Sequence, residues 1–173
     1  RPGVDFNDNE DVIEAYLRLK CDAITSDESQ LLARRAEVMD PDAHRIVPPT
    51  AISYEPLAPV YRQGDNQWRD IVNYAVWSTI YAEQLGINSS NLATFDETAN
   101  DTIRSFLGAA GANSIFATDL ELAPNFAGQI VAEVGNYGEI FDRNLGDMFT
   151  TRGPNTVWTN DPSGRIFSPP FTQ

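Results

Sequence analysis

The sequence is poor in three residues that often identify a functional site: cysteine, histidine and lysine. Each occurs once among the 173 residues, as Cys21, His44 and Lys20. A single cysteine excludes an intrachain disulfide and a cysteine-based zinc site. The glycine-rich nucleotide motifs and the motifs GxSxG, HExxH and CxxC are absent as well. Nothing in the sequence therefore predicts a nucleotide cradle, a hydrolase nucleophile or a catalytic zinc ion.

Positive charge and long apolar runs are also scarce. The 12 basic residues are outnumbered by 25 acidic residues, which gives a net charge of −13. Nucleic-acid binding requires a basic face, so this charge argues against a nucleic-acid partner. No run approaches the roughly 20 apolar residues of a transmembrane helix. Because the chain begins with Arg1 and not with methionine, we expect a processed or truncated product of a signal-bearing precursor.

Residues 1–52 predict a compact unit of strand, helix and strand, and the whole chain predicts an α/β, helix-rich fold. Apolar spacing indicates an amphipathic helix over residues 9–18. Residues 21–25 are predicted as a short buried strand and residues 26–39 as a second helix with an N-cap signature. Another short strand is predicted around Ile46 and Val47.

Proline interrupts residues 53–64, which are nevertheless apolar. We predict an extended segment that crosses between two packed bodies. A long helix follows from Asp65 to Gly86, apolar nearly all round and therefore expected to be buried on most sides. Further predicted elements are a short helix at 102–107 before a Gly/Ala-rich loop, one continuous helix from 124 to 146, and an irregular or hairpin tail at 156–173 strapped over the body.

Asp27 is the strongest candidate for ligand binding because of its position. It follows a predicted buried strand and opens a predicted helix, which is where ligands bind in open α/β sheets. A carboxylate there suits an ammonium group; the alternative is simple capping of the helix. For His44 the favoured interpretation is a surface histidine. The acidic run at 5–11 is interpreted as a capped helix start and not as a calcium loop, because Glu10 stands where such a loop needs glycine.

Several separated motifs resemble one family. Residues 11–17, 21–27 and 55–65 read DVIEAYL, CDAITSD and EPLAPVYRQGD, and residues 134–144 read VGNYGEIFDRN. An RGPN run at 152–155, a tryptophan at 158 and a proline pair at 169–170 follow in the family's order. Together they resemble the general L-amino-acid (polar amino-acid) binding proteins of ABC importers, which are type 2 periplasmic solute-binding proteins. The likeness covers essentially the whole chain.

The resemblance implies a two-lobed periplasmic protein that closes on a free L-amino acid and delivers it to an ABC permease of the inner membrane. It implies a binding protein, not an enzyme, and no cofactor. In the family, the aspartate at the position of Asp27 accepts the α-ammonium of the substrate, and Ser26 and Thr25 are expected to help shape the site. A partly desolvated carboxylate gains a charge-assisted hydrogen bond from an ammonium, and closure strengthens it by excluding water.

The resemblance also implies that part of the family fold is missing before Arg1, including the arginine that holds the substrate carboxylate. Residues 1–52 are then a remnant of lobe two, residues 53–64 the inter-lobe crossing segment, and residues 65–173 the C-terminal helical part of lobe one with a family-specific extension. The fold is expected to be incomplete at its N terminus. Apolar faces at Trp68, Trp77 and Tyr81 would lack partners, which favours a homo-oligomer or an exchange of elements between protomers.

Two functions remain open at this point. The first is capture of an L-amino acid by lobe closure, in a truncated chain that has kept or lost binding. The alternative is a self-associating helical module, with a structural or interaction role and no ligand. Calorimetric titration with L-amino acids and a solution mass separate the two.

Overall fold

The computed structural model describes residues 3–109 and 115–171. The chain divides into two compact units, the first ending at Leu57 and the second beginning at Ala58. This division lies within residues 53–64, the segment predicted to cross between two bodies. Residues 110–114 of the predicted Gly/Ala-rich loop lie outside the described residues, as do the last two residues of the predicted tail.

Two helices form the described part of the first unit. They are α1 (Asn9–Leu17) and α2 (Glu28–Glu37), with a 3₁₀ turn at Pro41–Ala43 after them. The predictions of helices at 9–18 and 26–39 are thus confirmed, apart from the exact ends. The Asp8 carboxylate accepts a hydrogen bond from the Glu10 backbone N–H at 2.7 Å, which confirms the capped helix start.

Side-chain contacts hold the first unit together. Arg34 on α2 donates hydrogen bonds to Glu10 at the start of α1 and to Glu37. The Tyr16 hydroxyl bonds Nδ1 of His44 at 2.6 Å, so this histidine, predicted at the surface, is half-buried. Among the described hydrophobic residues of this unit only Ala15 is buried. The unit therefore has a small core.

The strands predicted at residues 21–25 and around Ile46 and Val47 are not formed. In the described part of the chain, strand-type pairing is limited to one isolated bridge between Val157 and Ile166. The α/β class is therefore not confirmed, and the described elements are helical. A strand satisfies its backbone N–H and C=O groups by pairing with a neighbour, and a short apolar run without such a neighbour stays irregular.

The described part of the second unit contains five α-helices. The longest is α3 (Asn66–Gln84), and the others are α4 (Asp101–Leu107), α5 (Ile115–Asp119), α6 (Phe126–Val134) and α7 (Tyr137–Leu145). The predicted helices at 65–86 and 102–107 are confirmed, whereas α5 was not predicted. Two 3₁₀ turns lie at Leu92–Phe95 and Gly153–Asn155.

The core of the second unit forms around the second half of α3. Residues 78–82 are buried there, Ala82 completely. The hydroxyls of Ser78 and Thr79 donate to backbone carbonyls of the preceding turn at 2.7 and 2.8 Å, so these buried polar groups are satisfied. Helix α3 packs on α6 and α7, and α6 also packs on α4. The buried apolar cluster consists of Tyr81, Ala82, Ile87, Ile103, Phe106, Ala117, Phe126, Ala127, Val131 and Phe171.

The first half of α3 is less buried than its apolar circumference predicts. Trp68, whose apolar face was expected to lack partners, is 53% exposed. The same expectation is wrong for Tyr81, which is 7% exposed because Phe106 and Phe171 cover it. Trp77 is half-buried and packs edge-on against Tyr74.

The continuous helix predicted from 124 to 146 is wrong, because the chain breaks between α6 and α7. Helix α6 ends at Gly135, whose φ is +81°. The Asn136 side chain then accepts from the Glu139 N–H at 2.9 Å, and the Glu139 carboxylate accepts from the Asn136 N–H at 2.8 Å. This capping box starts a new helix and outweighs an apolar spacing that continues across the break.

The predicted tail is confirmed for residues 156–171, which run irregularly and bring Phe171 into the core. Just before the tail, Arg152 donates to both oxygens of the Glu83 carboxylate at 2.6 and 3.0 Å. Its guanidinium lies 5.3 Å from the centre of the Tyr137 ring. A Cβ at Gly138 would come within 2.8 Å of Arg152 Nη1. The VGNYGE and RGPN motifs therefore meet in one structural contact.

We expect Gly108→Ala to destabilise the second unit strongly. Gly108 ends α4 with a φ of +66°, and a Cβ there would lie 2.0 Å from the carbonyl oxygen of Pro124. The left-handed backbone costs about 1 kcal/mol or more for an L-residue, and overpacking adds roughly 1–3 kcal/mol. Urea unfolding followed by circular dichroism measures the loss.

The matched control is Gly128→Ala, within α6. The nearest atom to a Cβ at Gly128 is a Leu107 methyl at 3.6 Å, which is ordinary contact. Because alanine favours a helix over glycine by about 1 kcal/mol, this variant should be as stable as the parent chain or slightly more stable. Equal losses for the two variants would contradict the proposed contact between Gly108 and Pro124.

The Glu139 carboxylate should make stability pH-dependent. Burial alone would raise the pKa of this carboxyl, but hydrogen bonds from the Ser89 hydroxyl and from the Asn136 and Ser89 backbone N–H groups together lower the pKa below its ordinary value of 4.5. The stabilisation is therefore present above that value and is lost as the pH falls through the lowered pKa. Glu139→Gln keeps a capping side chain but removes the charge.

We accordingly expect the stability difference between the parent chain and Glu139→Gln to be largest near neutral pH and to shrink below pH 4.5. Thermal unfolding across an acid pH series measures this difference. Glu133→Gln, at an exposed position of α6, controls for the loss of one negative charge. A difference that stays constant down to the acid limit counts against the role assigned to Glu139.

Candidate functional site

Asp27 occupies the N-cap position of α2 and is exposed. Its backbone carbonyl accepts from the Leu31 N–H at 2.9 Å, as the first residue of a helix requires. Its side chain makes no capping hydrogen bond. Simple capping, the alternative raised by the sequence, is therefore not what this carboxylate does. The Asp27 carboxylate therefore makes no hydrogen bond to the start of the helix that it precedes.

Thr25 and Ser26 line a small cavity in the first unit, with a volume of about 40 Å³. The Ser26 hydroxyl donates to the side-chain oxygen of Gln30 in the first turns of α2. The other lining residues are Asn9, Val12, Ile13, Ile24, Gln30, Leu31 and Arg34. Asp27 does not line this cavity, so the structure groups Thr25 with Ser26 and leaves Asp27 outside. Such a volume holds one or a few water molecules and is too small for an amino acid.

Arg34, which also lines the cavity, is already paired. Hydrogen bonds to Glu10 and then to Glu37 raise the pKa of its guanidinium above the ordinary value, against a smaller opposing effect of burial. Two carboxylates therefore share this cation. Arg34 is therefore engaged within the first unit, by Glu10 and Glu37.

A larger cavity, of about 460 Å³, lies in the second unit and was not predicted. Burial raises the pKa of the Tyr74 phenol in its wall, and the charges of Asp70 and Asp119 raise it further. The full lining is Gln67, Asp70, Tyr74, Asp119, Leu120 and Glu121. These residues come from two distant stretches of the sequence, and no motif spacing links them. The acidic wall favours a positively charged group over an anion.

The described residues contain no group of three or more His, Cys, Asp or Glu side chains placed to hold a metal ion. Of the helices within the described ranges, none is both long and apolar enough to cross a bilayer.

Comparison with solved structures defines the class of protein. The chain superposes on an ABC transporter periplasmic binding protein from Brucella ovis with glutathione bound, with a TM-score of 0.85 and 36% sequence identity. The match covers 98% of this chain and 52% of that chain. The fold is therefore part of a periplasmic binding protein fold.

No family model matches the chain. Three curated relatives are all amino-acid-binding proteins or putative binding proteins of amino-acid ABC transporters. The general L-amino acid-binding periplasmic protein AapJ of Rhizobium johnstonii is 39% identical over 168 residues, which is 95% of this chain and 48% of AapJ. The putative amino-acid ABC transporter-binding protein YhdW of Escherichia coli K12 is 37% identical over 96% of this chain and 48% of YhdW. The glutamate/glutamine/aspartate/asparagine-binding protein BztA of Rhodobacter capsulatus is 37% identical over 87% and 44%.

The resemblance read from the sequence is thus confirmed. Over nearly its whole length the chain is homologous to amino-acid ABC transporter periplasmic binding proteins. It spans about half the length of the curated relatives that it matches.

Because the Asp8 side chain makes a capping hydrogen bond and the Asp27 side chain does not, we expect the two N-cap residues of the first unit to contribute differently to its stability. Asp8→Ala removes a capping hydrogen bond and should lower the stability of this unit by about 1 kcal/mol, whereas Asp27→Ala should cost less than about 0.5 kcal/mol. Both variants lose one charge at a helix N terminus, so that contribution is matched. Urea titration of the amide signals of residues 9–37 by NMR measures both. A larger loss for Asp27→Ala would show a structural role for this carboxylate.

Proposed function

We propose that the chain is the C-terminal portion of a periplasmic solute-binding protein that captures an L-amino acid by lobe closure and delivers it to an ABC permease of the inner membrane. The observation that carries the proposal is the match of nearly the whole chain, at 36–39% identity, to proteins described as binding proteins of such transporters. The role is binding, without catalysis and without a cofactor.

The ligand class follows from what the relatives are reported to bind. One relative is a glutamate/glutamine/aspartate/asparagine-binding protein, and the Brucella structure holds glutathione. All of these molecules carry an α-ammonium next to a carboxylate, including the γ-glutamyl end of glutathione. We propose this amino-acid head as the group that the chain recognises.

Within this proposal Asp27 binds the α-ammonium, and Ser26 and Thr25 shape the neighbouring surface. Asp27 supports the role in two ways, because it is exposed and its side chain makes no capping bond to its own helix. A charged hydrogen bond between carboxylate and ammonium contributes roughly 1.5–3 kcal/mol when partly shielded from water. The first unit would then belong to lobe two and residues 65–173 to lobe one, with residues 53–64 as the crossing segment.

Isothermal titration calorimetry of the chain tests the proposal, with L-glutamate, L-glutamine, L-aspartate, L-asparagine and glutathione injected in separate runs. We expect heat with at least one of them. Asp27→Asn keeps the size of the side chain and removes its charge, and should weaken binding about tenfold to a hundredfold.

Glu28→Gln is the matched control, because Glu28 is the adjacent exposed carboxylate at the start of α2. It should change the affinity less than about twofold, since it removes the same charge without touching the proposed ammonium site. Equal weakening by both variants would point to the general negative potential and against a specific role for Asp27.

The alternative function is self-association of the chain as a helical module without ligand binding. Exposed apolar side chains of the second unit favour it, since Val60 is 96% exposed and Trp68 53% exposed. A dimeric mass in sedimentation equilibrium, reduced to a monomeric mass by Trp68→Glu, together with no heat from any ligand, would select this alternative. A monomeric mass with measurable heat selects amino-acid binding.

A further inference from the structure

Asp27 and Gln30 have the spacing of a capping box at the start of α2. Asp27 is the N-cap residue, and Gln30 is the third residue of the helix. In such a box the N-cap side chain accepts from the backbone N–H of the third residue, whose side chain accepts from the N-cap N–H. Among the described residues neither bond is formed here. The Asp27 side chain makes no capping bond, and the Gln30 side-chain oxygen accepts from the Ser26 hydroxyl.

The same spacing does form a capping box at the start of α7. There the side chain of Asn136 and the carboxylate of Glu139 each accept from the other's backbone N–H. The residue before that N-cap is Gly135, which has no side chain to compete for the glutamate. The residue before the N-cap of α2 is Ser26, and its hydroxyl engages the single side-chain oxygen of Gln30. We attribute the open box at α2 to this hydroxyl.

The backbone of Asp27 already has an N-cap course. Its φ and ψ are −58° and 143°, against −79° and 174° for Asn136, so both residues have the large positive ψ of an N-cap residue. The Asp27 carbonyl also accepts the first helical hydrogen bond, from Leu31. A small rotation therefore separates the observed start of α2 from a capped one, and the bond between Ser26 and Gln30 decides between them.

The carboxylate that this arrangement leaves open lies at the surface. Ser26 and Gln30 line the small cavity of the first unit, whereas Asp27 does not line it and is exposed. Their hydrogen bond ties the turn before α2 to the wall of that cavity. An ammonium group can approach the Asp27 carboxylate without displacing a backbone N–H from it, so no existing hydrogen bond is lost on binding.

We propose that Gln30 is a positioning residue for the ammonium site. By accepting from the Ser26 hydroxyl, Gln30 leaves the capping box of α2 open, and the Asp27 carboxylate stays available for an α-ammonium instead of bonding its own helix. The inference deepens the amino-acid-binding function proposed above and rests on it. Gln30 makes no contact with the ligand and acts only through Asp27.

Calorimetric titration with the amino acids named above tests the positioning role. Gln30→Ala removes the acceptor of the Ser26 hydroxyl and keeps the backbone N–H that Asp27 would bond. A side-chain cap favours the capped form by about fivefold, and a ligand that needs the open carboxylate binds only the remaining fraction. We therefore expect Gln30→Ala to weaken binding about fivefold.

Ser29→Ala is the matched control for this titration. Ser29 is a half-buried residue of the same turn, and its side chain makes no hydrogen bond in the described part of the chain. The variant should change the affinity less than about twofold, because it leaves the hydrogen bond between Ser26 and Gln30 in place.

Amide hydrogen exchange of the full chain without ligand, followed by NMR, tests the capping step by itself. In Ser26→Ala the freed Gln30 side chain and Asp27 can form the complete box, so exchange of the Gln30 N–H should slow about fivefold. The slowing should disappear when Asp27→Ala is added to Ser26→Ala. A merely structural role for the Ser26 hydroxyl predicts the opposite, faster exchange in this turn.

The outcomes separate this inference from the proposed function. No heat from the parent chain with any ligand overturns amino-acid binding, and the positioning role of Gln30 with it. Heat from the parent chain, with equal affinities in Gln30→Ala and Ser29→Ala, overturns the positioning role alone. Exchange of the Gln30 N–H that Ser26→Ala leaves unchanged or makes faster shows that Ser26 does not hold the box open, and refutes the inference whatever the titration gives.

Discussion

Burial of the last turns of α3 is the constraint on which the second unit depends. Ser78 and Ala82 are small and completely buried, as are Ala127 and Val131 on α6. Small side chains on both helices allow their backbones to approach closely, and the hydroxyl of Ser78 is satisfied within its own helix. Because these turns are enclosed, the residues that follow them are held in place. Those residues, Glu83 and Gln84, bind Arg152 and the Ser168 backbone N–H.

The two units obtain their stability in different ways. The second unit has a continuous apolar cluster, with residues contributed mainly by α3, α4, α6 and Phe171. The first has one buried hydrophobic side chain among its described residues and relies on polar contacts such as those of Arg34. In this unit Asp27 is an exposed carboxylate whose side chain makes no capping bond. Such a group is compatible with the binding role proposed for it, since binding sites commonly retain groups that do not stabilise the fold.

Local sequence signals were sufficient to predict most of the helices. They were insufficient to predict features that depend on residues distant in the sequence. Helical spacing and caps predicted α1 to α4, because those signals lie within a few residues of one another. The strands at residues 21–25 and around Ile46 failed for the opposite reason, since a strand is defined by a neighbour that apolar composition cannot supply. The break before α7 was readable in the Asn136 to Glu139 capping box, but the continuing apolar period concealed it.

The candidate site shows the same division. The position of Asp27 before α2 could be predicted from the local sequence. The absence of its capping bond could not, because it depends on the side-chain rotamer and the backbone geometry. The cavity walled by Asp70, Tyr74 and Asp119 joins two stretches without a shared motif. The resemblance to a known family was read from the order of several separated motifs, and no single motif carried it.

The uneven distribution of two residue types gives each unit its own spectroscopic reporter. All three tryptophans, Trp68, Trp77 and Trp158, lie in the second unit. The single lysine, Lys20, is exposed in the first unit. Tryptophan fluorescence therefore reports on the second unit alone, since the tyrosines of the first unit absorb at shorter wavelengths, and an amine-reactive dye marks the first unit at Lys20. The scarcity of lysine thus makes the two units optically separable without any substitution.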